Sequence, residues 1–355
     1  MENQRRVSYL PEEVIQPVRP RQLLATWLGV LLLVLLANFV VAPRMLEGGR
    51  NLAGWIIGHK WRLLLGLSQP VDDLVLGDSS CNQGVNPVTL ARALDDAKAV
   101  NLCTIGDMLA LNDAWMLQTY IERFGPPKRV VIVHVYDIWS RDFEWSRVGS
   151  IPVGVLSLRK LRPEIRLKRW QLRSYLESRY FPLYSSNLSL QSRLRAGDPR
   201  LRNATSPRRV DSLGFLADTT AFPDSVELDL AGHLKFLAKE TFKLSGDNQR
   251  SLARIARLAD EHGFDVYLAS APVYDRLAED PGFQRYLAQV QSALASASGE
   301  GSRVHLVFDQ PMAFPASQMQ NADHLVLDAA NRYTEALAAK IRQIEITRRR
   351  DGGTN

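Results

Sequence analysis

The chain has 355 residues, of which 46% are hydrophobic, 23% charged and 8% aromatic, which excludes a disordered chain, a coiled coil and a collagen-like fibre. Its two cysteines exclude a disulfide-built scaffold and a four-cysteine zinc module, and no repeat points to a solenoid or propeller. The net charge of +6 is uneven: residues 141–210 hold 16 Lys/Arg against 5 Asp/Glu, a balance of +11 that leaves −5 elsewhere, so the basic character belongs to one region and not to a nucleic-acid-binding surface.

After a short tail (1–22), residues 23–43 read LLATWLGVLLLVLLANFVVAP, 21 residues without a charge. At the helical rise this spans about 31 Å, one hydrocarbon thickness. A cleaved signal peptide and a buried core helix are the rival readings, but the run is long for the first and too apolar for the second. The prediction is one transmembrane helix in the inner (cytoplasmic) membrane. Basic residues tie across it (Arg5, Arg6, Arg19 and Arg21 before; Arg44, Arg50, Lys60 and Arg62 just after), so the positive-inside rule does not set its direction. A short tail with a translocated, periplasmic or extracytoplasmic body is the arrangement adopted. Residues 44–70, with Trp55, His59, Lys60, Trp61 and Arg62, read as a linker and interfacial helix.

From 71 to 346 strands and helices alternate. Predicted strands are VLGDSS with its preceding Asp-Asp-Leu, 99–106, the β-branched run 128–136, 265–273 and 303–309. Predicted helices cover 88–98, 112–124, 247–262 (closed by Gly263), 279–297 and 327–344. This is an α/β fold with a parallel sheet between helices. Residues 141–240 lack clear periodicity and read as a basic insertion, and 347–355 as a flexible tail.

In open parallel sheets the chemistry lies beyond the C-terminal strand ends. Those ends carry Gly77-Asp78-Ser79-Ser80, Gly106-Asp107, Tyr136-Asp137, Ala271–Tyr274 and a loop leading to Asn321-Ala322-Asp323-His324. A serine in the first strand-to-helix turn and a histidine before the last helix are the layout of a nucleophile and its base. Backbone N–H groups of Ser79 and Gly106 can hold an oxyanion. The bland readings are a helix N-cap for Ser79, a surface histidine for His324, a helix-dipole carboxylate for Asp323 and a loop acid for Asp137.

Gly77-Asp78-Ser79, Gly106 and His324 resemble the nucleophile, second and last blocks of the SGNH, or GDSL-like, hydrolases over roughly 72–136 and 247–342. The resemblance implies an SGNH-like (flavodoxin-like) domain with Ser79 as nucleophile, His324 as base and an oxyanion hole from Ser79 and Gly106. The chain departs from the family twice. The third block's Gly-x-Asn is replaced within His134-Val135-Tyr136-Asp137, and the last block's Asp-x-x-His becomes Asn321-Ala322-Asp323-His324, so Asp323 or Asn321 would orient the histidine. Both departures and the anchor fit the membrane-anchored relatives in alginate O-acetylation and teichoic-acid D-alanine transfer.

The remaining histidines (His59, His134, His233, His262, His305) read as core, edge or helix-end residues, and none has metal-ligand spacing, so no metal or cofactor is expected. Cys81 reads as a packed thiol. The stretch 158–184 mixes cations with Leu, Trp and Tyr and reads as a surface near membrane lipid, with a wall for an acidic polysaccharide or a merely solvated face as alternatives. The expected function is a membrane-anchored serine-dependent O-acyltransferase or esterase acting on acetyl groups of an exopolysaccharide or other envelope glycan. A membrane acyltransferase would be a further partner, and nucleic acid none. The alternative is a catalytically degenerate scaffold of a polysaccharide acylation or export complex.

Overall fold

The computed structural model describes residues 19–42, 52–95, 97–152, 169–185, 210–239, 241–298, 302–308 and 310–352. Helix α1 (Pro20–Leu36) begins with proline at its first turn and continues through a π-helical turn, Ala37–Val41. None of α1's side chains is buried, and Pro20–Val41 is long and apolar enough to cross a membrane.

Helix α2 (Leu52–Gly66) corrects the expectation of an interfacial linker helix. Ile56, Ile57, Lys60, Trp61 and Leu64 are all buried in the domain core. The charge that seemed to forbid this is satisfied internally. Lys60 Nζ donates to the Asn101 carbonyl (2.9 Å), Asn101 Oδ1 (3.0 Å) and the Gly214 carbonyl. Burial pushes its pKa well down. Gly214 allows the approach because its φ is +88° and a Cβ there would lie 2.0 Å from the Asn101 carbonyl oxygen.

The centre is a five-stranded parallel sheet of β1 (Asp73–Gly77), β2 (Ala99–Asn101), β3 (Arg129–His134), β4 (Asp265–Ser270) and β5 (Val304–Leu306), in the order β2-β1-β3-β4-β5. Leu74 registers with Val100 and Val130, and Val130 with Val266. Every residue of β1 and β3 is buried, as a strand covered on both faces requires. The second strand stops at Asn101 instead of running to 106. Beyond it the chain continues with Leu102 and Thr104 N–H groups donating to the Val75 and Gly77 carbonyls, at 2.8 Å each.

Short helices α3 (Ser79–Gly84) and α4 (Pro87–Ala93) follow β1, and α5 (Leu109–Phe124) follows β2. The predicted insertion contains α6 (Arg169–Tyr180), α7 (Pro182–Ser185) and α8 (Pro223–Leu237); the rest of the basic stretch 158–184, residues 158–168, lies outside the described residues. Helices α9 (Gly246–His262), α10 (Pro281–Ser298) and α11 (Leu327–Gly352) complete the layers. Helix α5 packs on α9, and α11 packs on α3 and α4. The end of α11 is a correction. Residues 347–352 are helical, and Arg348 pairs with Asp265 at the start of β4.

Gly77 ends β1 with φ +144°, and a Cβ there would sit 2.0 Å from the Val133 carbonyl oxygen. No L-side chain fits. Gly77→Ala is expected to cost about 3 kcal/mol or more through combined strain and steric displacement. Denaturant titration of the detergent-purified protein checks this; a midpoint equal to the wild type's would show that the turn is not so constrained.

Candidate active site

The site is built from Asp78 outward. Asp78 caps α3: its Oδ1 accepts from the backbone N–H groups of Ser80 (2.9 Å) and Cys81 (3.4 Å). Its Oδ2 accepts from Val135 N–H (2.7 Å) and lies 3.3 Å from His134 Nδ1. The other ring nitrogen, Nε2, is 2.5 Å from Asp113 Oδ2 on α5. All three side chains are buried. Burial alone would lower the imidazole's pKa, but Asp113 and then Asp78 outweigh it and raise it from 6.5 to about 10. His134 is therefore a buried cation that closes one carboxylate from each side. It belongs to the core, as the sequence suggested, but as an ion pair.

This network presents the nucleophile candidate. Ser79 opens α3 and is half-buried, whereas Ser80 is fully buried. The Ser80 hydroxyl lies beside the Asp323 carboxylate without closing a well-directed hydrogen bond. Of the two adjacent serines, Ser79 is the one that solvent reaches. Cys81 is not a free thiol, which is a correction. It forms a disulfide with Cys103, the two Cα atoms 5.8 Å apart. The bond staples α3 to the segment that leads into Gly106.

His324 sits in a short antiparallel pairing of Met319–Asn321 with His324–Leu325, in which Asn321 faces His324 across the ladder. That pairing packs against α3, so the structure brings the histidine's strand to the nucleophile's helix. Both candidate orienting groups meet the same ring nitrogen. Asn321 Oδ1 is 2.7 Å from His324 Nδ1, and Asp323 Oδ1 is closer still. Burial alone would raise the Asp323 carboxyl, but His324 and then His233 hold it at about 2. It is thus a carboxylate, able to stabilise an imidazolium.

Gly106 opens a 3₁₀ turn, Gly106–Met108. Its missing side chain is replaced by a cation: a Cβ there would lie 3.2 Å from Arg141 Nη1. Arg141 pairs with Asp137, whose carboxylate is buried and whose Oδ1 has no hydrogen-bond partner. Asp137 is therefore not a loop acid, as expected from the sequence. Burial raises its carboxyl, and Arg141 opposes the rise. Tyr136, just past β3, points into an aromatic cluster with Phe283 and Tyr286, and its hydroxyl lies 2.7 Å from His233 Nδ1.

Sequence reasoning missed His233 and Arg141. His233 Nε2 is 3.5 Å from Asp229 Oδ2, and that oxygen accepts from Ala322 N–H at 3.0 Å, so α8 braces the His324 loop. Burial lowers the His233 pKa, but Asp229 and Asp323 more than offset it and the net shift is upward. The available signal was the i,i+4 spacing of Asp229/His233 and Asp137/Arg141. The remaining histidines lie elsewhere: His59 stacks on Trp55, His262 ends α9 and His305 pairs with Asp265. A cavity of about 540 Å³ lies away from this cluster, over the β2 edge between Pro70, Val88, Ala91 and Leu213.

No family model matches the chain, and no curated protein does. One solved structure, described as "a putative platelet activating factor from Streptococcus pneumonia", is 12% identical, with 86% of this chain and 98% of that chain covered and a TM-score of 0.39. A likeness of that size decides neither family nor activity.

The buried histidine gives a signed prediction. Its pKa is raised on folding, so its stabilisation is fully present below about pH 6.5 and fades as pH rises towards about 10. His134→Gln leaves Asp78 and Asp113 facing an uncharged group, a loss of about 3–5 kcal/mol at neutral pH. Burial already raises the Asp113 carboxyl and His134 opposes the rise, so in that variant it should titrate higher still and stability should recover as pH falls. Unfolding midpoints of both proteins across pH 5–9 check this, and a variant no less stable at pH 8 than at pH 5.5 would contradict it.

Proposed function

We propose that the chain is an SGNH-like, serine-dependent O-acyltransferase or esterase, held at a membrane and acting on O-acyl, most simply acetyl, groups of an envelope glycan. The observation that carries this reading is the packing of the His324 strand against α3, with Ser79 at that helix's first turn. The orienting oxygens both lie at Nδ1, so Nε2 is the atom that takes the Ser79 proton as its Oγ attacks the acyl carbonyl. The tetrahedral oxyanion is held by Ser79 and Gly106 N–H groups. Arg141, beside Gly106, supplies a charged N–H donor in place of the neutral one that a third-block Asn would offer. Breakdown of the acyl-enzyme by water gives an esterase, and by a sugar hydroxyl a transferase.

The compartment follows from two features. Pro20–Val41 supports an inner-membrane anchor, and a disulfide between Cys81 and Cys103 supports an oxidising, extracytoplasmic side for the domain. A scaffold without catalysis remains the second reading, favoured by the altered third block alone.

The test uses a small acetyl ester and a fluorophosphonate probe. The probe is expected to label Ser79. Ser79→Ala and His324→Ala should each remove nearly all turnover, and the double variant should be little worse than either. Unlabelled, inactive wild-type protein with a normal unfolding midpoint would favour the scaffold, and full activity in Ser79→Ala would end the serine mechanism.

The two substituted blocks make a second prediction. Asp323→Asn should lower kcat on the order of 10⁴, as loss of a triad carboxylate does, while Asn321→Ala should cost far less. Arg141→Ala should cost roughly 10²–10³ in kcat, the scale for losing one oxyanion donor, with Arg141→Lys recovering part of it. If Asn321→Ala proves the more damaging of the two, the carboxylate is not the orienting group.

A further inference from the structure

The described part of the basic stretch, α6–α7, takes no part in the site above, yet it is attached to the apolar helix. Asn38 is buried in the last turns of that helix. Its Nδ2 donates to the Tyr180 carbonyl at 2.7 Å, and its Oδ1 accepts from Leu183 N–H at 3.2 Å. An amide in a spanning helix is costly unless it is bonded to protein, and here the end of α6 and the start of α7 bond it. Asn38 stands three residues before Val41, the end of the apolar span, or about 5 Å along the axis. Helix α7 is thereby fixed at the depth where hydrocarbon gives way to headgroups.

The residues on this unit match that depth. Trp170 (55% exposed), Phe181 (52%) and Tyr184 (61%) present large aromatic surfaces that remain open among the described residues, and Tyr180 adds a fourth. Arg169, Arg173 and Arg179 are exposed among them. Trp and Tyr with interspersed cations are the composition of a membrane interface, where rings enter the headgroup layer and guanidinium groups meet anionic lipid. The opposite face of α6 is already used, with Gln171 and Tyr175 buried, and Trp170 keeps one edge on Trp145 while the rest of its ring is open.

We infer that α6–α7 is a seat on the bilayer surface, with Phe181, Tyr184 and Trp170 set into the interface and the arginines on anionic headgroups. The inference rests on reading Pro20–Val41 as a spanning helix and is independent of the acyl chemistry. Its consequence for the site is geometric. Helix α6 packs on the turn Trp145–Ser150. That segment grips the Gly106 turn: Glu144 N–H donates to the Asp107 carbonyl at 3.2 Å, and Arg147 pairs with Asp107 at 3.1 Å. The candidate oxyanion turn is thus tied, through two packed layers, to the membrane-seated unit.

Spin labels on single introduced cysteines test this in the full chain, since both native cysteines are in the disulfide. Phe181→Cys, Tyr184→Cys, Val30→Cys in the apolar helix and Leu228→Cys, 78% exposed on α8, are reconstituted in phosphatidylcholine–phosphatidylglycerol vesicles. Labels at 181 and 184 should be several-fold less accessible to a water-soluble nickel chelate than the label at 228, and more accessible to it than the label at 30. Removing phosphatidylglycerol should raise chelate access at 181 and 184. A buried label at 30 with labels at 181 and 184 as wet as 228 overturns the seat while leaving the anchor standing. A wet label at 30 overturns the anchor, and the seat with it.

Discussion

The Asp78 carboxylate is the constraint on which the site's geometry depends. One oxygen caps the helix that carries Ser79, and the other takes the Val135 N–H just past β3 and faces the His134 cation. Three elements are thereby locked at one point: the end of β1, the start of α3 and the end of β3. Capping alone is worth about 1 kcal/mol. A buried carboxylate with a charged partner and well-directed donors is worth more only as long as every partner stays in place. That is why Gly77 must precede it, since only a residue without Cβ lets the chain turn against the Val133 carbonyl. It is also why Asp113 is needed on the far side, where it keeps His134 charged.

Much of the architecture was legible because it depends on local pattern. The β-branched run at 129–134 announces a buried parallel strand, the apolar centre of 265–270 a second one, and Gly263 announces the end of α9 in the left-handed conformation. Gly77-Asp78-Ser79 and His324 were legible as types at strand ends. What was hidden depends on partners distant in sequence. The burial of α2 could not be read because Lys60 is satisfied by carbonyls of residues 101 and 214, and neither carbonyl has a sequence signature. The disulfide was missed because 22 residues separate Cys81 from Cys103 and only the sheet brings β1 and β2 side by side. His233 lay in a stretch of poor periodicity, and its importance comes from Tyr136 and Asp229 meeting it in space. The choice between Asn321 and Asp323 was undecidable from spacing, and the fold places both at one nitrogen.

The charges around the candidate site follow one rule: each carboxylate faces a basic side chain. Asp78 and Asp113 share His134, Asp137 faces Arg141, Asp229 faces His233, and Asp323 faces His324. Such pairing lets the buried Asp78, Asp113 and Asp137 sit in a low-dielectric region opposite a basic group. The two histidines differ in their surroundings. His134 is sealed between two carboxylates, whose charges raise its pKa to about 10. His324 meets one carboxylate and one neutral amide at a single ring nitrogen, Nδ1.

The proposed mechanism requires the loop before His324 to present an acid to the ring, and the local geometry supplies one. Moving the acid from the position three before the histidine to the position immediately before it would ordinarily pull the carboxylate out of line, because adjacent residues in extended backbone point to opposite faces. Here the register between 319–321 and 324–325 is irregular, and a tight reversal at Ala322-Asp323 joins the paired segments. The reversal lets Asp323 fold back on Nδ1 while Asn321 reaches the same atom from across the ladder. Asp229 then fixes the reversal by accepting the Ala322 N–H from outside. The reversal thus brings a carboxylate to the His324 ring, and the helix that braces the reversal lies in the very segment that looked like an insertion.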